Sequence, residues 1–403
     1  MKTYTKKFSF VILVAFLFIV LSACQRDYYN KFVLTSAFQT TNTLEIFTKN
    51  PISKEELEII KEEVNNILIG LDNIFNVQER YSEKLDSVLS KVSEKAGVEP
   101  VEVSEEVIFV LKKALEMSEL SKVQFQNEEV ALFDPTISPV WKTWDFPTNQ
   151  YDHFDNILAV SEIEEIKEEI KEIINAGLVD YKKIKINEED KTVYLEKEGM
   201  EIDLGAIAKG YAADKIKDYL VNRGYNSCII SVGGNILLVG DLFGKPFKIG
   251  IRTPYINWTN LRKDKKGKYI NEAFGLIEVS DLSVVTSGTY ERYIRDRSGN
   301  EYHHILHPAT GLPINNNVVS ITVITEESIM ADGYSTTLFA LGMEKGLEIV
   351  ENTEGLETIW VIRNGKTFEI YLSSGLADSF SFNENVIEDG FVYKGVYNEN
   401  AEN

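Results

Sequence analysis

A carboxylate and a hydroxyl lie four residues apart in the string ADGYSTTLFALG, at Asp332 and Thr336. Since residues i and i+4 share one face of a helix, the two side chains are predicted to point in the same direction. Two hard oxygen ligands suit a Mg²⁺ ion that keeps some of its water and takes its other ligands from the phosphates of a substrate. The alternative, which this string alone favours, is structural: Thr336 bonds a helix carbonyl and Asp332 caps the helix N-terminus.

A second group of such residues lies in the string IDLGAIAKGYAAD, where Asp203, Ala206 and Lys209 follow one another at intervals of three. A carboxylate near the start of a helix is stabilised by the positive end of the helix dipole. An unpaired backbone carbonyl at Ala206 would be able to bind a metal ion, and the Lys209 ammonium can meet a phosphate as a point charge. The structural alternative is an N-cap aspartate beside a solvated lysine, and this string alone again favours the alternative.

Three of the four histidines are clustered at His303, His304 and His307. An H-x-x-H pair suggests zinc, but no cysteine or fourth ligand lies near it in the sequence. The favoured interpretation is a single histidine that acts as a general base with a pKa near its ordinary value.

Two glycine-marked strings, ISVGGN (230–235) and TSGTYERY (286–293), supply runs of backbone N–H groups. Such runs can form a nest that binds an anion, although each string is also consistent with a tight turn between strands. Neither a GxxxxGK[ST] string nor a strand-GxGxxG-helix string is present, so the ordinary nucleotide-binding folds find no support.

The elements that must position these strings are predicted from apolar periodicity. Helices are expected at Ser53–Phe75, from Val103 onward, and at Glu162–Ala176, Gly205–Arg223 and Ala331–Leu341. Strands are grouped together after Ser227 instead of alternating with helices, which predicts an α+β fold with a mixed, mostly antiparallel sheet flanked by helices. We expect one compact domain over residues 32–383, with a lysine-rich insertion at 257–271, followed by an acidic tail at 384–403.

The N-terminus has the pattern of a secretory signal peptide over residues 1–23. Three lysines precede an apolar run that ends in Leu21-Ser22-Ala23-Cys24, which resembles a bacterial lipobox. Cys24 is therefore expected to be the lipidated first residue of the mature chain, followed by a polar tether at 24–31. The protein would then be anchored by lipid to the cell membrane, on its extracytoplasmic face.

The chain has a formal net charge of −21, and loss of the signal with its three lysines makes the chain more negative. Such a surface repels nucleic acid, so no nucleic-acid partner is expected. With Cys24 lipidated, the remaining cysteine, Cys228, has no disulfide partner and is predicted to be a small core residue.

Taken together, these strings resemble the ApbE family, the flavin transferases of the bacterial cell envelope. The segment FDPT (133–136) with a following tryptophan (Trp141 or Trp144), IDLGAIAKGYAAD, ISVGGN, SGTYER, HHIL-P-TG and AD-ST occur in the order and spacing of that family. The resemblance extends from about Phe38 to about Leu372, and Gln39-Thr40-Thr41 stands where the family often has Met-Gly-Thr.

The resemblance implies that the protein binds FAD and Mg²⁺ and passes the FMN moiety to a Thr or Ser of a partner flavoprotein. That partner would be a subunit of a membrane redox complex or an extracellular flavoprotein. The metal would be held by the Ala206 carbonyl, Asp332 and Thr336, and His304 would take the proton of the acceptor hydroxyl. The residues implied to contact FAD are Gln39, Gln78, Leu132, Phe133, Asp134, Asp203, Lys209 and Leu306.

Three positions depart from the family pattern: His307 replaces an aspartate, Gln78 falls where a tyrosine is common, and Gly333-Tyr334 replaces a small pair. The missing aspartate could orient His304, so the first two departures favour a related activity, hydrolysis of FAD to FMN and AMP. A third hypothesis is a lipid-anchored flavin-binding protein without catalysis.

Overall fold

The computed structural model describes residues 27–77, 87–146, 157–254 and 273–397. Cys24, Gln78 and the lysine-rich 257–271 lie outside these ranges, so the predictions made for them remain predictions. The α-helices of the described residues are α1 (Lys54–Phe75), α2 (Val88–Glu94), α3 (Glu105–Leu120), α4 (Ser138–Trp144), α5 (Val160–Asn175), α6 (Ala208–Asn222), α7 (Ser328–Leu341) and α8 (Met343–Glu351).

The strands of the described residues are β1 (Tyr28–Val33), β2 (Asn42–Thr48), β3 (Val101–Glu102), β4 (Lys122–Phe125), β5 (Glu128–Ala131), β6 (Ile157–Leu158), β7 (Ile184–Asn187), β8 (Thr192–Leu195), β9 (Ser227–Val232), β10 (Asn235–Gly240), β11 (Phe247–Arg252), β12 (Ala273–Val279), β13 (Ser283–Gly288), β14 (Tyr293–Asp296), β15 (Glu301–His303), β16 (Val318–Thr325), β17 (Glu357–Asn364), β18 (Thr367–Leu372), β19 (Phe380–Phe382) and β20 (Phe391–Val396).

Nine of these strands form one sheet in the order β1-β2-β9-β10-β13-β16-β17-β18-β20. Every neighbouring pair in this sheet is antiparallel except β18 and β20, which run parallel. Two of the smaller sheets, β11-β12-β19 and β15-β14-β6, each have three strands. The predicted α+β fold with a mixed, mostly antiparallel sheet is therefore confirmed.

Two helices begin at the caps that the sequence predicts. Ser53 Oγ accepts a hydrogen bond from the Glu56 N–H at 3.1 Å at the start of α1, and Ser104 Oγ accepts one from the Val107 N–H at 3.4 Å at the start of α3. The other predicted starts are wrong by a few residues, since α5 begins at Val160 instead of Glu162 and α7 at Ser328 instead of Ala331. Likewise, α6 begins at Ala208 and not at Gly205. The Ala206 carbonyl therefore lies outside the helix.

The sheet separates two apolar cores, as the alternation of side chains along a strand requires. On β10, Leu237 packs into the core beneath α1, α3 and α6, whereas Leu238 packs into the core beneath β11 and β12. The apolar stripe of α1, including Ile60, Val64 and Leu68, is fully buried in the first core. Truncation of one such residue to alanine costs about 2–5 kcal/mol. Cys228 lies in the same core, as predicted, and burial raises its pKa to about 12.

The two edges of the sheet extend beyond the predicted domain boundaries. Strand β1 begins at Tyr28, within the predicted tether at 24–31; the Tyr29 ring lies 5.3 Å from that of Phe47, and Lys31 pairs with Glu45 across the strands. In the predicted tail, Phe391 of β20 is buried, and its ring lies 5.2 Å from that of Phe368. The sheet therefore extends past residues 32 and 383, because aromatic residues anchor both edges within otherwise polar sequence.

Sequence periodicity misses several short elements, among them α2, α4 and the hairpin of β4 and β5. The helices have seven residues and the strands four, which is too short for a repeated apolar pattern to be recognised in the sequence. In the part of the chain that the structure describes, no helix is both long enough and apolar enough to cross a membrane.

Candidate active site

A cleft of about 1100 Å³ opens beside the strand ends and loops that carry the glycine-marked strings. Every site residue predicted within the described ranges lines this cleft: Gln39, Leu132, Phe133, Asp134, Asp203, Ala206, Lys209, His304, Leu306, Asp332 and Thr336. These residues lie as far apart in the sequence as Gln39 and Thr336, and the fold brings them to one cleft.

The first turns of α6 and α7 lie against one another at the base of the cleft. The Gly210 N–H of α6 donates to Asp332 Oδ2 of α7 at 3.0 Å. A methyl group on Gly210 would lie 2.1 Å from the Ser328 carbonyl oxygen, so only glycine permits this approach. In return, Asp214 of α6 accepts the N–H groups of Ser328 and Ile329 at 2.9 and 2.8 Å. Each helix therefore caps the N-terminus of the other.

This arrangement leaves the Ala206 carbonyl unpaired among the described residues, because its usual i+4 partner, the Gly210 N–H, bonds Asp332 instead. Lys209 Nζ lies 3.6 Å from Asp332 Oδ2 and donates to the Gly205 carbonyl at 2.5 Å. A carbonyl, a carboxylate and an ammonium are thus close together at the start of one helix.

Thr336 lines the cleft one turn after Asp332. Among the described residues its hydroxyl makes no hydrogen bond to the Asp332 carbonyl, whose oxygen accepts from Ser335 Oγ at 2.8 Å. The structural alternative for this pair is therefore only half right: Asp332 does cap a helix N-terminus, that of α6, while Asp214 caps α7. Thr336 does not bond back to the preceding turn. Among the described residues no group of three or more His, Cys, Asp or Glu could hold a metal ion. The Ala206, Asp332 and Thr336 oxygens are of the hard type that Mg²⁺ prefers, so this set fits Mg²⁺ better than zinc.

Asp203 and Asp134 lie in two loops that line the cleft, and their hydrogen bonds hold these loops in place. The Asp203 N–H donates to the Pro135 carbonyl at 2.8 Å, and Asp203 Oδ1 accepts the Gly205 N–H at 2.7 Å. Burial raises the pKa of Asp203. The Asp134 carboxylate accepts bonds from Thr136 and from the Tyr181 N–H, and burial raises its pKa to about 6. Asp134 thus lines the cleft, while its carboxylate holds the loop together.

The hydrogen bonds of the three clustered histidines distinguish one from the other two. His304 Nδ1 lies 3.1 Å from the Arg292 carbonyl oxygen, which can only accept, so Nδ1 carries the proton and Nε2 keeps its lone pair. His303 uses both ring nitrogens, with the Ile314 carbonyl and the Ile305 N–H. Only His304 of the three lines the cleft, so it is the one suited to accept a proton there.

The pKa of His304 is not near its ordinary value, contrary to the prediction. Burial, followed by the nearby positive charges of Arg292 and Lys209, lowers the pKa of His304 to about 3. The imidazole is therefore neutral over the physiological range, with one nitrogen free to accept a hydrogen bond.

Sequence reasoning missed several residues of the cleft. It used the string TSGTYERY only as a source of N–H groups, yet Tyr290 and Arg292 line the cleft. The Arg292 guanidinium lies 5.7 Å from the centre of the Trp141 ring. The basic residue in that string was the available signal. Asn235 also lines the cleft, and its buried amide nitrogen has no partner among the described residues.

The sequence pattern of the ApbE family matches residues 38–360 of the chain. The chain belongs to the ApbE family. An FAD:protein FMN transferase of Klebsiella pneumoniae is 31% identical over 306 residues, which are 75% of this chain and 84% of the relative. An FAD:protein FMN transferase of Treponema pallidum is 28% identical over 338 residues, which are 83% of this chain and 84% of the relative.

Solved structures of ApbE proteins share the fold. The flavin transferase ApbE of Vibrio cholerae superposes with a TM-score of 0.65 at 24% identity, over 88% of this chain and 99% of that chain. The ApbE protein of Thermotoga maritima gives a TM-score of 0.63 at 26% identity, over 90% and 99%. The predicted ApbE-like fold is thereby confirmed.

The structure explains two departures from the ApbE pattern. His307 does not orient His304, since its Nδ1 accepts the Ala309 N–H at 3.2 Å and its ring lies 4.6 Å from that of Phe125. His307 thus closes the turn. Whether an aspartate at this position would change His304 remains a prediction. At Gly333, a methyl group would lie 2.9 Å from Met117, so glycine lets α7 pack closely on α3.

Two tryptophans follow the FDPT string in this ApbE chain, and the structure shows which of them lines the cleft. Trp141 lines the cleft, whereas Trp144 is buried and its Nε1 donates to the Gly311 carbonyl at 2.8 Å. Trp144 therefore anchors the turn that follows the histidine string, and Trp141 is the residue available to a ligand.

Proposed function

We propose that the protein transfers the FMN moiety of FAD to a Thr or Ser hydroxyl of a partner flavoprotein and releases AMP. One observation carries this proposal. The Ala206 carbonyl, Asp332 and Thr336, with Lys209 beside them, line the same cleft as the uncharged ring of His304. Phosphoryl transfer requires charge neutralisation and positioning, and these residues supply both. Membership of the ApbE family and the names of the relatives support the same reaction.

The Ala206 carbonyl, Asp332 and Thr336 would hold Mg²⁺. When bound, the ion would neutralise charge on the diphosphate of FAD. Lys209 binds the same diphosphate as a second cation, and its position is fixed by the Gly205 carbonyl and by Asp332. Together they would allow so acidic a chain to bind a negatively charged nucleotide.

The reaction balances with the residues of the cleft. The acceptor oxygen forms a bond to the phosphorus of FMN, and the bond from that phosphorus to the bridging oxygen of AMP breaks. The hydroxyl proton passes to Nε2 of His304, because Nδ1 already donates to the Arg292 carbonyl. Since the pKa of His304 is lowered to about 3, the ring is unprotonated before the acceptor arrives. A pKa so far below the working pH also makes the ring a weaker base than an ordinary histidine.

The remaining contacts to FAD would come from loops that the fold holds rigidly. Gln39, Leu306 and Asp203 reach the cleft from three different stretches of chain. The segment from Leu132 to Asp134 is held by Ser121, whose carbonyl accepts the Leu132 N–H at 3.2 Å and whose Oγ accepts the Phe133 N–H at 2.9 Å. Gln78 remains a proposed contact from outside the described residues.

The test is to mix the protein with FAD, Mg²⁺ and a candidate acceptor and to look for in-gel flavin fluorescence on the acceptor. We expect fluorescent acceptor and AMP in equal amounts, and no label on an acceptor whose Thr or Ser is replaced by alanine. Label that persists in both Asp332→Ala and His304→Ala variants would contradict the residue roles.

The alternative to transfer is hydrolysis of FAD to FMN and AMP. The departures at His307 and Gln78 favour it; the His307 side chain bonds its own turn, and Gln78 lies outside the described residues. Chromatography without an acceptor distinguishes the two reactions, because a hydrolase releases AMP and free FMN on its own. Stable FAD binding with no products under either condition would favour a non-catalytic flavin-binding protein.

We propose that the mature chain is held on the extracytoplasmic face of the cell membrane by lipid on Cys24. The lipobox-like string supports this, and the acceptor would then be a flavoprotein of the cell envelope. Labelling with a palmitate analogue should mark the wild-type protein, and label that persists in Cys24→Ala would refute the anchor.

A further inference from the structure

The loop between β1 and β2 lines the cleft in an unfavourable backbone conformation. Phe38 and Gln39 have φ angles of 56° and 55°, so two successive residues with side chains are left-handed. Only glycine adopts this region readily, and such pairs persist where the surroundings hold them. The loop therefore needs an external restraint to keep Gln39 at the cleft.

Asn42 supplies that restraint. Its side chain is fully buried and makes four hydrogen bonds. Nδ2 donates to the carbonyls of Thr35 and Ala37 at 2.8 and 3.1 Å. Oδ1 accepts from Thr40 Oγ1 and from the Gly233 N–H, both at 3.1 Å. The Asn42 amide therefore bonds residues on both sides of the strained pair. It also bonds the loop to the turn of the ISVGGN string.

Two further contacts close the loop in the same position. Asp72 of α1 accepts the Phe38 N–H at 2.7 Å. Gly233 lies so close that a methyl group on it would stand 2.9 Å from the Thr40 side chain. The loop is therefore held between α1 and the Gly233 turn, and the Asn42 side chain bonds both the loop and the turn.

We propose that Asn42 is a positioning residue for nucleotide binding: it locks the strained loop so that Gln39 meets FAD. Asn42 does not line the cleft and touches no ligand itself. The inference rests on the proposed function, since it takes FAD as the ligand. It concerns affinity for FAD and leaves the transfer step to Lys209, Asp332 and His304.

Asn42→Asp is the sharpest variant, because it keeps the shape and both accepted bonds but sets a carboxylate oxygen against two carbonyl oxygens. We expect Kd for FAD, measured by quenching of flavin fluorescence, to rise about tenfold or more. At saturating FAD, kcat should stay within about twofold, because none of the residues that Asn42 bonds is assigned to the transfer step.

The matched control is Asn316→Asp. Asn316 holds a turn away from the cleft, with Nδ2 donating to the Phe339 carbonyl at 2.6 Å and Oδ1 accepting the Val318 N–H at 3.2 Å. It should lower Tm without changing Kd for FAD. Equal changes in Kd for both variants would show a general loss of structure and overturn the proposal, as would an unchanged Kd in Asn42→Asp.

A second variant covers the case in which Asn42→Asp does not fold. Thr40→Val keeps the branched shape and removes the hydroxyl that bonds Asn42 and the Ala37 carbonyl. Its Kd for FAD should rise by a smaller factor, and an unchanged Kd overturns the inference. If the wild-type protein does not bind FAD, the proposed function fails first, and the two failures are thereby distinguished.

Discussion

The first turns of α6 and α7 are capped in the same way, yet the two capping aspartates differ. Asp214 uses both carboxylate oxygens, one for the Ser328 N–H and one for the Ile329 N–H. Asp332 uses one oxygen for the Gly210 N–H and lies in the cleft wall beside Lys209. A polar group whose atoms are all bonded within the protein stabilises the fold. One that keeps an atom free at the cleft can act on a ligand.

The largest effect that tests this comparison is expected from Asp332→Asn against Asp214→Asn. The amide oxygen in Asp332→Asn would still accept the Gly210 N–H, but the charge would be lost, so flavin transfer should fall about 10²–10³-fold with little change in Tm. Asp214→Asn loses one of two accepted N–H bonds, which costs about 1 kcal/mol, and should leave transfer within about twofold. In-gel fluorescence rates and thermal melts measure both, and equal losses of activity would refute the distinction.

His303 and His304 allow the same comparison between a side chain that is fully bonded within the protein and one that keeps an atom free. His304 keeps Nε2 free, whereas both ring nitrogens of His303 are bonded. His304→Gln should lower the transfer rate about 10²–10⁴-fold, and His303→Gln should act mainly on Tm. The four histidines of the chain also permit an NMR titration. The His304 ring should stay neutral from pH 8 down to about pH 5, because its pKa is lowered to about 3; an inflection near pH 6.5 would show that the ring is solvated.

The sequence alone predicts residues that line the cleft. It does not predict which of them keep an atom free for a ligand and which are fully bonded within the protein. Asp214 and Asp332 both follow an alanine in a helical string, and only the packing of α6 on α7 shows which one faces the ligand. Similarly, His303, His304 and His307 are equivalent by type. Their hydrogen bonds to distant carbonyls and turns decide which nitrogen is free.

The failure to predict the edge strand β20 has a physical reason as well. The 384–389 segment is acidic, and the preceding sequence gives no reason to expect a further strand. Yet β20 pairs with β18 because Phe391 enters a cluster with Phe274 and Phe368. Such pairing depends on contacts between residues far apart in sequence, which a local pattern does not contain.

Stability as a function of pH offers a smaller test at Asp214. Burial raises the pKa of Asp214 to about 6 in the folded protein, above its unfolded value of 3.8. The folded state then binds the proton more tightly, so this contribution is fully present below pH 3.8 and is lost as the pH rises through 6. Between about pH 7 and pH 4 the wild type should gain about 2–3 kcal/mol relative to Asp214→Asn. Denaturant melts at each pH measure the gain, and parallel curves would contradict the assigned burial.

The smallest effect concerns Asn235, which lies across Val232 from Asn42 in the same row of the sheet. Asn42 satisfies all four of its hydrogen-bonding positions, whereas the buried amide nitrogen of Asn235 has no partner among the described residues. Leucine has nearly the same shape and removes the unpaired donor, so Asn235→Leu should stabilise the FAD-free protein by about 1 kcal/mol or leave it unchanged. The same change should weaken FAD binding, because the polar group at the cleft is lost. A destabilised variant with unchanged Kd would show that Asn235 serves the fold alone, and the comparison between satisfied and unsatisfied groups would then fail at this site.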